Sequence, residues 1–253
     1  MVTSVTPLMS AICFCFIEYP CSFKYIMVGA AWIVTYILAQ TSFFAALKSV
    51  EASRLSSLLG TKIIALAIIA ILTGYKLNTM KFTAVILCCI SAVGMNFSGG
   101  KLNLKSALWV GSAVLNYALC DLTCTEMVNM MPGKNVLLNS FGVVAVSYGA
   151  LGIVSLPCLF IVPKKVIYLK DAFPFGAAWF SSMIFLLTAF GSLGVVFGSI
   201  VQAGRGIISV LIGAALLYAG FEHLEPRVGK KAWIRRMLMA LLMLAAMAIY
   251  AKA

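Results

Sequence analysis

Three ionisable side chains stand inside long apolar runs of this sequence: Lys62, Asp121 and Arg205. In a helix crossing a bilayer such a group costs about 2.5–3.5 kcal/mol at the midplane on insertion scales, so it calls for a partner or a use. Asp121 shares a helical stripe with Tyr117 and Cys124, spaced four and three residues away, and Asn116 lies beside that stripe. Desolvation favours the neutral form of a carboxyl group, and reversible protonation is the chemistry a proton-coupled carrier needs. The alternatives are a carboxylate at a helix end near Glu126, or one paired with Lys62 or Arg205. Two cations would suit an anionic or zwitterionic substrate, unless their long stems carry both charges to the headgroups. Trp32, Tyr36 and Gln40 recur at spacing four, and Gln202 precedes Arg205 by three. Each of these faces either contacts substrate or packs.

Signatures of covalent or metal chemistry do not accompany them. His223 is the sole histidine, and no Gly-x-Ser-x-Gly, His-Glu-x-x-His or phosphate-cradling glycine loop with its lysine occurs. We therefore expect no enzyme, no cofactor and no metal. The lack of a nucleotide site argues against a primary pump within this chain.

The elements that must position these residues follow from composition. Hydrophobic residues make up 63% of the 253 and charged ones 10%, against roughly 25% charged in an ordinary soluble domain. A polytopic, all-α transmembrane bundle is the fold class this implies, since helices satisfy their own backbone bonds in lipid. The net charge of +12 is scattered between apolar runs, which fits loop charges that set topology and not a nucleic-acid surface. The cysteines lie mostly inside the runs and are expected to pack as small apolar residues, without a disulfide framework.

A crossing needs about 20 apolar residues. Polar punctuation predicts nine spans, at Pro7–Tyr19, Tyr25–Leu47, Leu55–Thr73, Phe82–Phe97, Leu104–Cys124, Leu137–Val162, Phe173–Leu193, Val195–Ala219 and Trp233–Ala251. The first is short, and we read it as the tail of a helix whose start is absent.

A shift of 146 residues carries the turn Gly74-Tyr75-Lys76-Leu77 onto Gly220-Phe221-Glu222-His223, and Ser53 onto Ser199. Arg205 then falls on Leu59, three positions before Lys62 and on nearly the same helix face. Such repetition marks carriers built from two homologous bundles. The run Gln40 to Ser53, the turn at 74 to 78 and the helix ending near Asn96 resemble an EamA domain of the drug/metabolite transporter superfamily, and Gly220-Phe-Glu222 resembles its later turn. The resemblance implies two repeats of inverted topology, here 1–100, lacking the first helix, and 101–253. It further implies a bacterial cytoplasmic (inner) membrane protein, monomer or homodimer, with a substrate cavity between the halves. Two departures stand against it: nine spans replace ten, and Lys76 occupies the place of Glu222.

The expected function is a secondary transporter moving a small organic metabolite or amphipathic compound by alternating access. The competing expectation is a membrane scaffold or regulator of the same fold. Charge and resemblance imply opposite orientations. One side collects Lys48, Arg54, Lys101, Lys105, Lys164, Lys165, Lys170, Arg227, Lys230, Lys231, Arg235 and Arg236; the other has Lys24, Lys76, Lys81, Lys134 and Lys252. Basic short loops favour the cytoplasm, which with nine spans places the C-terminus outside. The resemblance implies a cytoplasmic C-terminus.

Overall fold

The computed structural model describes residues 18–20, 22–50, 55, 58–74, 78–95, 103–155, 166–204, 207–208, 211–212, 215 and 230–253. Among these, regular structure is helical throughout. We number the helices α1 Phe23–Leu47, α2 Lys62–Leu72, α3 Thr79–Met95, α4 Leu104–Met130, α5 Val136–Ser155, α6 Val166–Leu193, α7 Val195–Ala203 and α8 Lys230–Lys252.

Short polar residues start four of them. Ser22 Oγ accepts the Tyr25 amide at 3.2 Å, and Asn78, Asn103 and Asn135 side chains accept the amides of Lys81, Ser106 and Leu137 at 2.8, 2.7 and 2.9 Å. Each satisfies an amide that the first turn leaves open, an interaction whose loss costs about 0.5–2 kcal/mol. Gly194 closes α6 with φ +82° and Gly74 follows α2 with φ +88°, a left-handed backbone that glycine adopts without a Cβ clash.

Five described helices are long and apolar enough to cross a membrane: Phe23–Leu47, Leu104–Met130, Val136–Val154, Phe173–Leu193 and Trp233–Lys252. The described helices are oily on the outside as well as the inside. On the shorter α2, Ile63, Leu66, Ala67 and Ala70 are buried at helical spacing, while Ile64, Ile68, Ile71 and Leu72 on the other face are exposed. Phe44, Leu138, Phe185 and Leu241 stand out in the same way on other helices. In water each would forfeit about 25 cal/mol per Å² of apolar surface, whereas lipid accepts them. The chain is a polytopic, all-α integral membrane protein.

Several expected boundaries move. The span expected to end at Cys124 continues to Met130, and that expected to start at Phe173 belongs to a helix starting at Val166 with Pro174 inside it. The span expected as one helix over Leu55–Thr73 is interrupted at Gly60–Thr61, where the backbone turns before α2 begins. The span expected over Val195–Ala219 ends as a regular helix at Ala203. The Pro7–Tyr19 piece falls almost wholly outside the described residues, as do Ser53, Lys76, Glu222 and His223.

Packing divides the chain into two units, Met1–Ile37 with Leu119–Val195, and Leu38–Ala118 with Val196–Ala253. In the first, Tyr25, Trp32, Cys120, Cys124, Met127, Tyr148 and Phe190 belong to one buried core. A Cβ on Gly191 of α6 would stand 2.8 Å from Val136 and 2.9 Å from Val128, so this glycine permits a close approach. In the second unit α3 and α8 run antiparallel in a long seam. Asn78 Nδ2 donates to the Ala253 carbonyl at 3.0 Å, Lys81 Nζ lies 5.7 Å from the Tyr250 ring centre, and Ser91 Oγ donates to the Met239 carbonyl. Cys88, Cys89, Cys120 and Cys124 are free and buried, in keeping with their expected packing role; Cys13, Cys15, Cys21 and Cys158 lie outside the described residues.

Candidate functional site

The second unit contains two interrupted helices. Leu58 and Leu59 are helical, Gly60 and Thr61 turn, and α2 starts at Lys62. Across this break the Thr61 amide donates to the Leu58 carbonyl at 3.0 Å, a three-residue bond in place of the helical four, and the Ile64 amide donates to the Thr61 carbonyl at 3.0 Å. Thr61 occupies the N-cap without capping; its hydroxyl donates back to the Leu58 carbonyl at 2.6 Å. Lys62 therefore opens a half-helix, half-buried, beside the positive end of that helix's dipole.

The second break follows α7. Helical backbone ends at Ala203, Gly204 turns, and helical backbone returns at Ile207, whose amide donates to the Gly204 carbonyl at 2.9 Å. The shift of 146 residues carries Leu58 onto Gly204 and Thr61 onto Ile207. One three-residue bond thus recurs at positions 146 residues apart. Gln202 is half-buried two residues before Gly204, and Ser199, three residues earlier, is 1% exposed with a hydroxyl that has no hydrogen-bond partner. Arg205 lies outside the described residues.

Each break abuts the α3–α8 seam. Cys89 Sγ on α3 points to the Gly60 carbonyl at 4.0 Å, and a Cβ on Gly204 would meet the Met247 side chain of α8 at 2.6 Å. The Ile63 amide is likewise bonded, to the Gly60 carbonyl at 3.4 Å, so what the first break offers a ligand is the positive end of the α2 dipole and the Lys62 ammonium.

Elsewhere in this unit α1 and α4 are tied by hydroxyls. Ser42 and Ser112 share a bond of 2.9 Å, Ser49 and Ser106 one of 2.7 Å, and Asn116 Nδ2 donates to the Ser112 carbonyl at 2.8 Å. Asn116 is thereby committed to the helix's own backbone and to this serine seam. Gln40 and Tyr117 are half-buried in the same unit.

The first unit holds the aromatic residues. Trp32 and Tyr36 stack at 5.1 Å, and Tyr148 of α5 stands edge-on to both, at 5.6 and 6.2 Å. Trp179 Nε1 of α6 donates to Tyr148 Oη at 3.3 Å. Tyr148 and Trp179 had no signal beyond their polarity inside apolar runs. Buried here without a hydrogen-bond partner are Trp32 Nε1, Tyr25 Oη and Ser140 Oγ, each a group whose burial unpaired costs about 1–3 kcal/mol. Asp121 is half-buried in the interior of α4, not at its end, and its backbone carbonyl accepts the Thr125 hydroxyl at 2.8 Å. Glu126 is engaged separately by Lys24 at 2.7 Å.

The sequence-predicted residues are thus distributed. Lys62 and Gln202 stand at the two helix breaks of the second unit, with Gln40, Asn116 and Tyr117 in the same unit, while Trp32, Tyr36 and Asp121 belong to the first. The breaks at Gly60-Thr61 and at Gly204 are not separable by hydropathy from continuous helices, although each contains a glycine within an apolar run. Comparison with family models finds no match for this chain, and comparison with curated proteins finds none either.

Proposed function

We propose that this protein is a secondary carrier, moving a small organic metabolite by alternating access between two related halves of inverted topology with nine crossings. The observation that carries the reading is the paired break: the Thr61-to-Leu58 bond of the first half recurs as the Ile207-to-Gly204 bond of the second. Helices interrupted at corresponding positions of two repeats are the strongest sequence-level pointer to a carrier's binding site. The α3–α8 seam supports the inverted arrangement. The two helices follow their respective breaks in the two halves, and they pack antiparallel, as a two-fold axis in the membrane plane requires of equivalent helices.

The substrate we assign carries a carboxylate. Lys62, at the positive end of the α2 dipole, would hold that group, and the carbonyl end of α7 with Gln202 and Ser199 would take an amine or hydroxyl. Arg205, adjacent to the second break in sequence, would add a second cation. Asp121 would supply the proton site of a coupled mechanism. Membership of the EamA group of drug/metabolite transporters and residence in a bacterial cytoplasmic membrane belong to the same proposal.

Purified protein in liposomes, tested by counterflow against amino acids, organic anions and organic cations, decides the matter. Saturable exchange of a carboxylate-bearing compound is expected. Failure to exchange any member of the panel, by protein that remains monodisperse and folded, would leave the scaffold reading in its place.

A further inference from the structure

Helix α8 begins against its own dipole. Its sequence opens with Lys230, Lys231, Arg235 and Arg236, and its first turn contains no acidic residue. Cations at this end are electrostatically unfavourable, because the open amides already carry positive partial charge. An anion there would satisfy both. Lys231, Arg235 and Leu238 are spaced four and three residues apart and share one stripe. Lys231 is exposed, and Arg235 is half-buried with its Nε enclosed and without a hydrogen-bond partner. Among the described residues no carboxylate pairs with either. Below and beside them the surface is apolar: Ile234, Leu238 and Leu241 are all more than half exposed, and Trp233 stands at the same level as the cations.

A cationic head above an apolar strip matches one kind of molecule. We infer that the start of α8 is a binding site for an anionic phospholipid, its phosphate held by Lys231 and Arg235 and an acyl chain lying along Leu238 and Leu241. An indole at the headgroup level is the usual companion of such a position, and juxtamembrane basic clusters are attracted to anionic leaflets. The carboxylates of a soluble peptide would gain nothing from the apolar strip. The inference stands apart from the transport reading, since it uses no residue of the helix breaks.

The test is a titration of the detergent-purified protein with dioleoylphosphatidylglycerol, dioleoylphosphatidylcholine and inorganic phosphate, read by native mass spectrometry and by thermal melting. One phosphatidylglycerol is expected to stay bound and raise the melting temperature, with no such effect from phosphatidylcholine or inorganic phosphate. The double variant Lys231→Gln/Arg235→Gln should weaken phosphatidylglycerol binding by roughly ten-fold or more. Lys231→Arg/Arg235→Lys should retain it, which separates lost recognition from lost folding, and Lys81→Gln/Lys252→Gln at the other end of the seam should leave it unchanged. Equal binding by the Gln variant and the natural protein would overturn the site. An equal effect of inorganic phosphate would also overturn it, because the acyl strip would then contribute nothing.

Discussion

The Cys88 thiol on α3 donates to the Met243 thioether on α8 at 3.1 Å, and both side chains are fully buried. This contact fixes the register of the antiparallel seam on which the inverted-repeat proposal depends. Oxidation of the variant Met243→Cys should therefore produce a crosslink to Cys88. A parallel or shifted pairing would separate the two positions beyond the roughly 4.4–6.8 Å Cα range a disulfide spans. Intact-mass analysis after mild oxidation checks it, with Ile86, on the exposed face of α3, as the position that should not crosslink when it carries a cysteine and Cys88 is replaced by serine.

Two glycines should respond oppositely to the same change. Gly191→Ala places a methyl group between Val136 and Val128, and overpacking of this kind costs about 1–3 kcal/mol. Gly111→Ala on α4 meets nothing within 4 Å, and replacing glycine inside a helix stabilises it by about 0.5–1 kcal/mol. Denaturant unfolding in detergent should show the first variant less stable and the second unchanged or more stable.

Lys62 is the residue whose loss should hurt transport most directly. Lys62→Gln removes an ionic partner, and hydrogen bonds to charged groups contribute about 1.5–3 kcal/mol, or roughly ten-fold to a hundred-fold in apparent affinity. The loss should appear in KM for carboxylate-bearing substrates, with Lys62→Arg partly restoring it. Equal KM in Lys62→Gln and the natural protein, with transport intact, would make Lys62 a helix-end lysine only.

Asp121→Asn should impair transport while leaving insertion and expression largely as they are, because the amide keeps the size and polarity of the carboxyl group without its proton. The discriminating measurement is transport against pH. A coupled role predicts that the variant loses the pH dependence of the natural protein, whereas a profile unchanged in shape and height would make the residue structural.

How far the sequence carries can be seen at particular residues. The spans were legible because hydropathy is a sum over about 20 positions, so Leu104–Met130 and Trp233–Lys252 stand out whatever their partners. The break at Gly60–Thr61 was not, because one glycine and one threonine are compatible with a continuous helix and a window of about 20 residues averages over them. Its meaning comes from a hydrogen bond, Thr61 to Leu58, and from the counterpart at Ile207. Lys62 reads in the sequence only as a charge within a span; its place at the start of α2 comes from the backbone turn at Gly60–Thr61. Trp32 and Tyr36 were legible as a stripe from their spacing, but Tyr148 and Trp179 join them from other helices, through contacts that spacing along one helix does not encode.

A bond that joins α3 and α8 at one end of their seam bears on the membrane orientation. Asn78 Nδ2 holds the Ala253 carbonyl, so Ala253 lies at the start of α3, and Lys81 stands over the Tyr250 ring at the same end. These positions belong to the sparse side of the lysine and arginine distribution, while Lys231 and Arg235 mark the opposite end of α8. Basic short loops stay in the cytoplasm, so Ala253 and Asn78 should both face outward. A fluorescent reporter that matures only in the cytoplasm, fused after Ala253, is expected to be dark. In a separate variant with the other cysteines replaced, Asn78→Cys should react with a membrane-impermeant thiol reagent applied to intact cells. A bright reporter with a protected Asn78→Cys would reverse the orientation and restore the topology that the EamA resemblance implies. If the two readouts disagree, Asn78 and Ala253 lie on different sides, and the antiparallel seam itself is wrong.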